Sequence, residues 1–315
     1  MRIVVTGGAG FIGKHLLDWL VCDGHDVLAV DDFSRGRPEH IPQQVTTQIA
    51  DLSQIPAADL ARQFETFGAE AVVHLAAVHF IPECMSNPER TFAINTRSTH
   101  TLVEAVQLSG VSRVVLASTL DVYKAEDVVH HEGHAPEPSN IYGLTKALSE
   151  QILDYAVRVG SCRSGVALRL ANVYGPNETN PHVIPDVLQR IVKRDAPALV
   201  MGYLGAARDF VYVKDIARAF GLAVTQAPTG FHALNAGTGQ AVPVRTVVRI
   251  LQGMLGDNRS VHEDVAAFRK FDRVSLTPRV DLIEQVLGWR AETRIDDGLE
   301  AMVADMLAEP AEQAA

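Results

Sequence analysis

A tyrosine and a lysine four residues apart are the pair in this sequence best suited to move a proton. Tyr142 and Lys146 lie in the segment YGLTK, which is predicted to be helical, so both side chains project from the same face. A free tyrosine has a pKa of about 10, but a neighbouring ammonium stabilises the phenolate and lowers that pKa. The pair therefore predicts a general base poised near neutral pH. Thr119, at the end of a predicted strand, can bond to the same substrate hydroxyl.

The Tyr-x-x-x-Lys spacing alone also fits two surface residues of a helix, so its interpretation depends on the N-terminal stretch MRIVVTGGAGFIG. Residues 2–5 are rich in β-branched side chains and predict a buried strand. Gly7, Gly10 and Gly13 follow at three-residue spacing, and residues 11–21 have the apolar periodicity of a helix. Strand, glycine turn and helix form the first unit of a dinucleotide-binding fold, with the pyrophosphate at the helix N-terminus. A bound cationic nicotinamide would lower the tyrosine pKa further.

An acidic residue at the end of the second predicted strand indicates which dinucleotide binds. The strand covers residues 26–30 and is followed by Asp31, close to the expected distance of about 20 residues after the glycines. Its carboxylate can accept from both adenosine ribose hydroxyls and would repel a 2′-phosphate, which favours NAD over NADP. Arg35 could accommodate such a phosphate and leaves NADP open. The alternative without a ligand is a solvated turn at Asp31 and Asp32.

Strands and helices alternate through the first half of the chain. Further strands are predicted at 45–49, 71–75, 112–117 and 166–170, with helices at 58–67, 88–109 and within 139–159. The fold class is therefore α/β, a Rossmann-type doubly wound parallel sheet, with ligands at the carboxyl ends of its strands.

The rhythm changes after Asn172. Short strands at 198–201, 210–213 and 232–235, and helices at 183–193, 215–224, 244–255, 279–287 and 296–307, are interpreted as too irregular to continue the sheet. The sequence thus predicts an NAD-binding domain at residues 1–171, which carries the tyrosine and lysine. A smaller, mainly substrate-binding lobe follows at 172–308, with a frayed tail at 309–315.

Composition excludes several classes of function. The chain has 315 residues, 47% hydrophobic and 21% charged, with a net charge of −10 and no basic run. Nucleic acid and anionic membranes are therefore not expected as partners, and no apolar stretch reaches membrane-spanning length. Three widely spaced cysteines without a CxxC motif fit a reducing, cytoplasmic setting. His74 and His79 lack a further ligand at metal-binding spacing, so no metal site is predicted.

An ordered set of motifs across nearly the whole chain resembles the extended short-chain dehydrogenase/reductases, which act on nucleotide sugars. The motifs are TGGAGFIG (6–13), VDD (30–32), HLAA (74–77), ASTLDVY (117–123), YGLTK (142–146), NVYGPN (172–177), RDFVYVKDIA (208–217), LNAGTG (234–239) and LGW (287–289).

The resemblance implies roles for individual residues. It implies that Thr119, Tyr142 and Lys146 are catalytic. It implies an NAD site formed by Gly7, Gly10, Phe11, Ile12, Gly13, Asp31, Asp32, Ser34, Asp51, Leu52, Leu75, Ala76, Ala77, Asn95, Tyr142 and Lys146. It implies a nucleotide-sugar site formed by His79, Thr119, Asn172, Val183, Arg208 and Arg269, although Phe271 stands after Arg269 where the family usually has glycine.

The family's shared reaction begins with oxidation of a sugar carbinol by NAD. In 4-epimerases the resulting keto-sugar turns over and the hydride returns to its other face, whereas 4,6-dehydratases also eliminate water. The dehydratases carry Thr-Asp-Glu or Thr-Ser-Glu where this chain has Thr119-Leu120-Asp121. Leucine cannot donate a proton, and aspartate is one methylene shorter than glutamate. The departure favours a 4-epimerase of UDP-hexoses over a 4,6-dehydratase. UDP-glucuronate decarboxylases share the pattern and stay open as a lesser alternative.

Two expectations concern partners and the class of protein. The resemblance implies a homodimer formed through the helices at 88–109 and 139–159, although their apolar positions could equally pack within one chain. A non-catalytic NAD-binding sensor or scaffold is the alternative from another class, and the presence of Thr119, Tyr142 and Lys146 argues against it.

Overall fold

A seven-stranded parallel sheet organises the computed structural model, which describes residues 1–178, 180–264 and 275–308. The strand order is β11-β7-β5-β4-β1-β2-β3. The strands are β1 (Arg2–Thr6), β2 (Asp26–Asp31), β3 (Thr46–Ile49), β4 (Ala71–His74), β5 (Arg113–Thr119), β7 (Ser164–Leu170) and β11 (Gly230–Ala236). The order reverses between β1 and β4, which creates a crevice at the carboxyl ends of these two strands. The predicted fold class is confirmed.

Helices cover both faces of the sheet. The helices are α1 (Phe11–Cys22), α2 (Ala57–Phe67), α3 (Ile81–Ser86), α4 (Pro88–Phe92), α5 (Ser98–Ser109), α6 (Ile141–Arg158) and α8 (Val213–Gln226). Helices α1 and α8 contact each other on one face, and α2, α5 and α6 follow one another on the other. Separate apolar cores lie beneath the two layers, as expected for a doubly wound sheet.

The helix predicted at 88–109 is interrupted by one π-helical turn. Helix α4 runs into this turn at Ala93–Arg97, and α5 then continues to Ser109. The wider turn displaces the side chains that follow it, so Asn95 is directed into the protein and is 1% exposed.

The expectation that the elements after Asn172 do not continue the sheet is wrong for β11. This strand pairs with β7 in parallel over seven residues, from Gly230 opposite Ser164 to Ala236 opposite Leu170. Helix α8 provides the crossover between the two strands, but residues 172–212 are inserted between β7 and α8. Because of this insertion, the strand–helix–strand pattern is not visible when only neighbouring segments of the sequence are compared.

The remaining elements surround a second core. Strands β12 (Ala241–Pro243), β10 (Ala207–Tyr212), β14 (Ser275–Pro278) and β6 (Val129–His130) form a small sheet, in which β8 (Asn172–Tyr174) pairs with β10. Strand β13 (Ser260–Glu263) pairs with β9 (Ala198–Met201). Helices α7 (Val183–Lys193), α9 (Val244–Leu255) and α11 (Ile295–Ala308) enclose this core, whereas α10 (Asp281–Leu287) packs against α8 and β11.

The division at residues 171 and 172 therefore stays a prediction, because the later elements are shared between the sheet and the second core. The tail at 309–315 and the predicted binding residue Arg269 lie outside the described residues. Within the described ranges, every helix is too short or too polar to cross a membrane.

Candidate active site

The glycine turn after β1 brings backbone against backbone. Gly7 has a φ of +71°, and a Cβ atom there would lie 2.7 Å from the backbone nitrogen of Ala76. A Cβ at Gly13 would overlap the carbonyl oxygens of Gly7 and Gly8. Gly10 is the N-cap of α1, and Phe11 and Ile12 form its first turn. The free N–H groups of this helix end are suited to a phosphate, as predicted.

The carboxylate of Asp31 is fixed at the end of β2, beside the glycine turn. Its Oδ2 accepts from the backbone N–H of Ala9 at 3.0 Å, and its Oδ1 accepts from that of Phe33 at 2.9 Å. Each oxygen keeps a further lone pair, so both can still accept a ribose hydroxyl. Burial raises the pKa of Asp31, and the two backbone N–H groups act in the opposite direction.

Asp32 and Arg35, which follow Asp31 in the chain, are engaged in hydrogen bonds with other residues. Asp32 accepts from the backbone and the hydroxyl of Ser34, at 2.9 and 2.7 Å. The guanidinium of Arg35 donates to Glu83 at 2.7 Å. Since a carboxylate holds Arg35, this contact favours NAD over a dinucleotide with a 2′-phosphate.

The predicted adenine-side residues lie beyond β3. Asp51 is exposed and accepts from the N–H of Ser53 at 2.8 Å. Leu52 is 5% exposed and belongs to the core beneath α2 and α5. The structure thus assigns Leu52 a packing role, which is compatible with an adenine contact along its edge.

Asn95 holds the segment that follows β4. Its carbonyl oxygen accepts from the N–H of Val78 at 2.8 Å, and its amide donates to the carbonyl of Val78 at 2.9 Å and to Thr145 Oγ1 at 3.0 Å. The segment comprises Leu75, Ala76 and Ala77, and it crosses above the glycine turn. One side chain therefore ties this segment to the catalytic helix α6.

Thr119 and Tyr142 meet at the carboxyl end of β5. Thr119 is the last residue of this strand and is 7% exposed. Its hydroxyl lies near the phenol of Tyr142 and lowers the pKa of that phenol, and it accepts from the N–H of Asp121 at 3.2 Å. The N-cap Asn140 begins α6 by accepting from Gly143 N at 2.8 Å, which places Tyr142 in the first turn. Thr119 and Tyr142 thus lie near each other, and their shared role stays a prediction.

The pKa of Tyr142 lies above its ordinary value in this structure, whereas the sequence predicts that the ammonium and a cationic nicotinamide together lower it. Loss of solvation raises this pKa, the charges of Asp121 and Cys84 raise it further, and only the hydrogen bond from Thr119 acts in the opposite direction. A positive charge at Lys146 does not offset these effects. A cationic nicotinamide bound in the crevice would act in the opposite direction and stabilise the phenolate.

Lys146 lies one turn after Tyr142 and is 3% exposed. Burial lowers the pKa of this amine from 10.5 to about 8, while Cys84 and Glu150 act in the opposite direction. The side chain is thus poised between its charged and neutral forms at slightly alkaline pH.

Histidines line the crevice beside the catalytic helix. The rings of His79 and His182 lie 5.5 Å apart, and His182 is hydrogen-bonded to Glu178 at 2.5 Å. Burial, followed by the charges of His182 and Lys146, lowers the pKa of His79 to about 4. His74 bonds to Thr6 at 2.7 Å, and burial lowers its pKa to about 3. His74 and His79 are therefore neutral at physiological pH.

The other predicted substrate-binding residues lie on elements that surround the second core. Asn172 begins β8 and is exposed, and Val183 begins α7. Arg208 lies on β10, with Nη1 donating to its neighbour's carbonyl at 2.8 Å. Among the described residues, no group of three or more histidine, cysteine, aspartate or glutamate side chains could hold a metal ion.

Two buried acidic side chains were not predicted from the sequence. Glu150 pairs with Arg169 at 2.7 Å, and Glu178 pairs with His182. The first has a visible signal, since Glu150 lies one helical turn after Lys146 and so shares its face. The second depends on a loop whose conformation the sequence does not specify.

Comparison with known proteins extends over nearly the whole chain. Residues 3–237 match the family described as the NAD dependent epimerase/dehydratase family. The chain is 33% identical to a UDP-glucose 4-epimerase of Azospirillum brasilense over 306 residues, covering 91% of this chain and 86% of the relative.

Solved structures are similarly close. A UDP-glucose 4-epimerase of Thermotoga maritima, solved with UDP-glucose, aligns with a TM-score of 0.90 at 27% identity and covers 98% of this chain and 99% of that one. MoeE5, solved with UDP-glucuronic acid and NAD, aligns with a TM-score of 0.87 at 32% identity, covering 98% and 99%.

Proposed function

This chain belongs to the NAD-dependent epimerase/dehydratase family, and we propose that it is a nucleotide-sugar 4-epimerase that uses NAD and acts on UDP-hexoses. The observation that carries the proposal is the proximity of the Thr119 and Tyr142 side chains at the carboxyl end of β5, one helical turn from Lys146. This arrangement places a potential base and its orienting hydroxyl at the carboxyl edge of the sheet, beside the glycine turn.

The residues of the crevice fit NAD. The turn at Gly7 leaves no room for a Cβ atom beside the backbone of Ala76, and the free end of α1 suits a pyrophosphate. Asp31 would hold the adenosine ribose, and Asp51 and Leu52 would flank the adenine. Lys146 would hold the nicotinamide ribose. We assign the further predicted NAD contacts on the same basis, namely Gly10, Phe11, Ile12, Gly13, Asp32, Ser34, Leu75, Ala76, Ala77 and Asn95.

The catalytic side chains would move one proton to and from the sugar. Tyr142 Oη takes the proton of the 4-hydroxyl, while Thr119 Oγ1 orients that hydroxyl. When bound, NAD would supply the acceptor for the hydride of C4 and the donor for its return. Tyr142 Oη gives the proton back once the hydride has returned to the opposite face of the 4-keto sugar. No cofactor is consumed, so the net reaction is inversion at C4.

The elements around the second core would hold most of the nucleotide sugar. We assign Asn172, Val183, Arg208 and Arg269 to this site, within a lobe that extends mainly over residues 172–308. His79 and Thr119 complete it from the NAD-binding domain. The relatives support a UDP-sugar, because UDP-glucose and UDP-glucuronic acid occupy the similar structures.

One observation keeps a second candidate reaction in view. Asp121 acts on Tyr142 electrostatically, so a carboxylate is present near the catalytic hydroxyl. A 4,6-dehydratase or a UDP-glucuronate decarboxylase could use such a group. Leu120 argues against the dehydratase, because it is 1% exposed and occupies the position of an acid with a side chain that cannot donate a proton.

We further propose a cytoplasmic homodimer. Apolar side chains stay exposed at the ends of α5 and along α6, namely Leu108, Leu144, Tyr155 and Val159. Pairing of these two helices with those of a second copy would bury this surface in a four-helix interface. All three cysteines are free thiols, which fits a reducing compartment. Light scattering in solution tests the dimer, and a monomeric mass would contradict it.

The function is tested by incubating the purified protein with UDP- and dTDP-sugars without added cofactor. We expect interconversion of UDP-glucose and UDP-galactose, which is measured by chromatography of the products. Loss of water from a hexose would establish the dehydratase, and loss of carbon dioxide from UDP-glucuronic acid would establish the decarboxylase. Retention of NAD without any turnover would identify a sensor or scaffold.

A further inference from the structure

We propose that Glu150 is a positioning residue, which fixes the strand end carrying Thr119 and maintains the positive charge of Lys146. The assignment rests on the proposed function, since it concerns the same catalytic side chains. Glu150 touches none of the reacting atoms in this arrangement and acts through its neighbours.

The carboxylate of Glu150 is buried and fully engaged. It is 4% exposed, and Arg169 donates to both oxygens, from Nη2 to Oε2 at 2.7 Å and from Nε to Oε1 at 3.0 Å. The hydroxyl of Ser118 also donates to Oε1. Since Ser118 directly precedes Thr119 on β5, this carboxylate anchors the backbone that presents the catalytic threonine to α6.

The orientation of the Glu150–Arg169 pair is fixed by further contacts of Arg169. Arg169 Nη1 donates to Tyr123 Oη at 2.8 Å, and that hydroxyl donates to Asn235 Oδ1 at 2.8 Å. The guanidinium carbon lies 4.8 Å from the centroid of the Tyr123 ring. One connected network therefore spans α6, β5, β7 and β11, and it holds the carboxylate of Glu150 from several sides.

The charge of Glu150 also reaches the catalytic amine. Glu150 follows Lys146 by four residues on α6, the spacing at which side chains share a face. Burial lowers the pKa of Lys146, and the groups that act in the opposite direction are Cys84 from α3 and Glu150. Lys146 in turn acts on His74 and His79, which remain neutral. Glu150 is thus the carboxylate that counters the desolvation of Lys146.

A purely structural ion pair would have different consequences. Its removal would lower the stability of the fold and leave the titration of Lys146 unchanged. A positioning role predicts that the pKa of Lys146 falls when the charge of Glu150 is removed.

The test is a direct titration of Lys146 in the NAD-loaded protein. The sequence has six lysines, so labelling their ε-carbons with ¹³C gives a simple spectrum, and Lys146→Met identifies the signal. We expect Glu150→Gln to lower the pKa of Lys146 by about one unit. Glu150→Asp, which keeps the charge, should restore most of it. The alkaline limb of the kcat profile should move in the same direction.

The control variant is Asp154→Asn, on the same helix. Asp154 is paired with Arg158 at the surface at 3.1 Å, so its removal should leave the titration of Lys146 unchanged. If Glu150→Gln does not fold, Glu150→Gln combined with Arg169→Met removes both charges, so that neither is left buried and unpaired. This double variant should also show the lowered pKa.

The outcomes separate the two proposals. An unchanged pKa of Lys146 in Glu150→Gln, or in the double variant, overturns the role of Glu150. An inactive wild-type protein whose Lys146 titration still responds to Glu150→Gln overturns the epimerase and leaves the electrostatic role standing.

Discussion

The crevice joins two halves that are built on different physical principles. In the glycine turn the contacts are made by backbone atoms, and the decisive quantity is the space left by a missing Cβ at Gly7 and Gly13. In the catalytic half they are made by buried side chains, and the decisive quantity is the free energy of charging Tyr142 and Lys146. The first half is a steric device, whereas the second is an electrostatic one that depends on residues far away in the chain.

The largest expected effect separates the two halves. Tyr142→Phe removes the base and leaves the glycine turn intact, so kcat should fall by about 10³-fold while the affinity for NAD is retained. Initial rates and calorimetric titration with NAD measure the two quantities. Unchanged turnover would show that the catalytic half has been misassigned.

The second prediction concerns the free energy that is needed to bury the positive charge of Lys146. Because the pKa of Lys146 falls from 10.5 to about 8 on folding, the unfolded chain binds more protons between these two values. The cost of burying the ammonium is therefore fully present below pH 8 and declines as the pH rises toward 10.5. Lys146→Met should raise the free energy of unfolding at pH 7 by on the order of 3 kcal/mol, with the gain fading at alkaline pH.

Urea denaturation at a series of pH values measures this effect. Lys14→Met, which removes a partly exposed lysine paired with Asp18, is the control and should have little effect at any pH. A constant difference between wild type and Lys146→Met across the range would refute the buried charge.

The third prediction addresses the steric half. Gly7→Ala introduces a methyl group against the backbone of Ala76 at a positive φ, so we expect a loss of about 2 kcal/mol in stability and a marked loss of NAD affinity. Gly24→Ala is the matched control, because Gly24 also has a positive φ, +77°, but faces open space. Equal losses in the two variants would mean that close approach is not what Gly7 provides.

The smallest expected effect tests a polar contact at the edge of the steric half. Asp31→Asn keeps the side-chain shape and removes the charge, so NAD should bind about tenfold more weakly and the preference for NAD over NADP should narrow. Fluorescence titration with both dinucleotides measures this. Asp26→Asn is the control, since Asp26 is exposed at the opposite end of β2, and an equal loss there would contradict the ribose contact.

The sequence predicted most of the local structure because the responsible forces are local. Helices α7 and α9 begin and end at the predicted residues, Val183–Lys193 and Val244–Leu255, since their apolar periodicity is strong. The π-helical turn that buries Asn95 was not predicted, because periodicity does not reveal one residue added to a helical turn.

The electrostatic interactions of the site were harder to predict from the sequence than the helices and strands. Glu150 and Arg169 are 19 residues apart and meet only because α6 lies over β7. Likewise the pKa of Tyr142 is set by burial and by Asp121 rather than by the nearby lysine. Such effects follow from tertiary packing, which spacing along the chain does not contain.

The insertion between β7 and its crossover helix also bears on how the chain is made. During synthesis on a ribosome, β7 emerges long before its partner β11, since residues 172–229 must be translated first. At about 5–20 residues per second, the edge of the nascent sheet stays open for several seconds. Unpaired edges template association with other chains, so this interval is when the nascent polypeptide has most need of a chaperone.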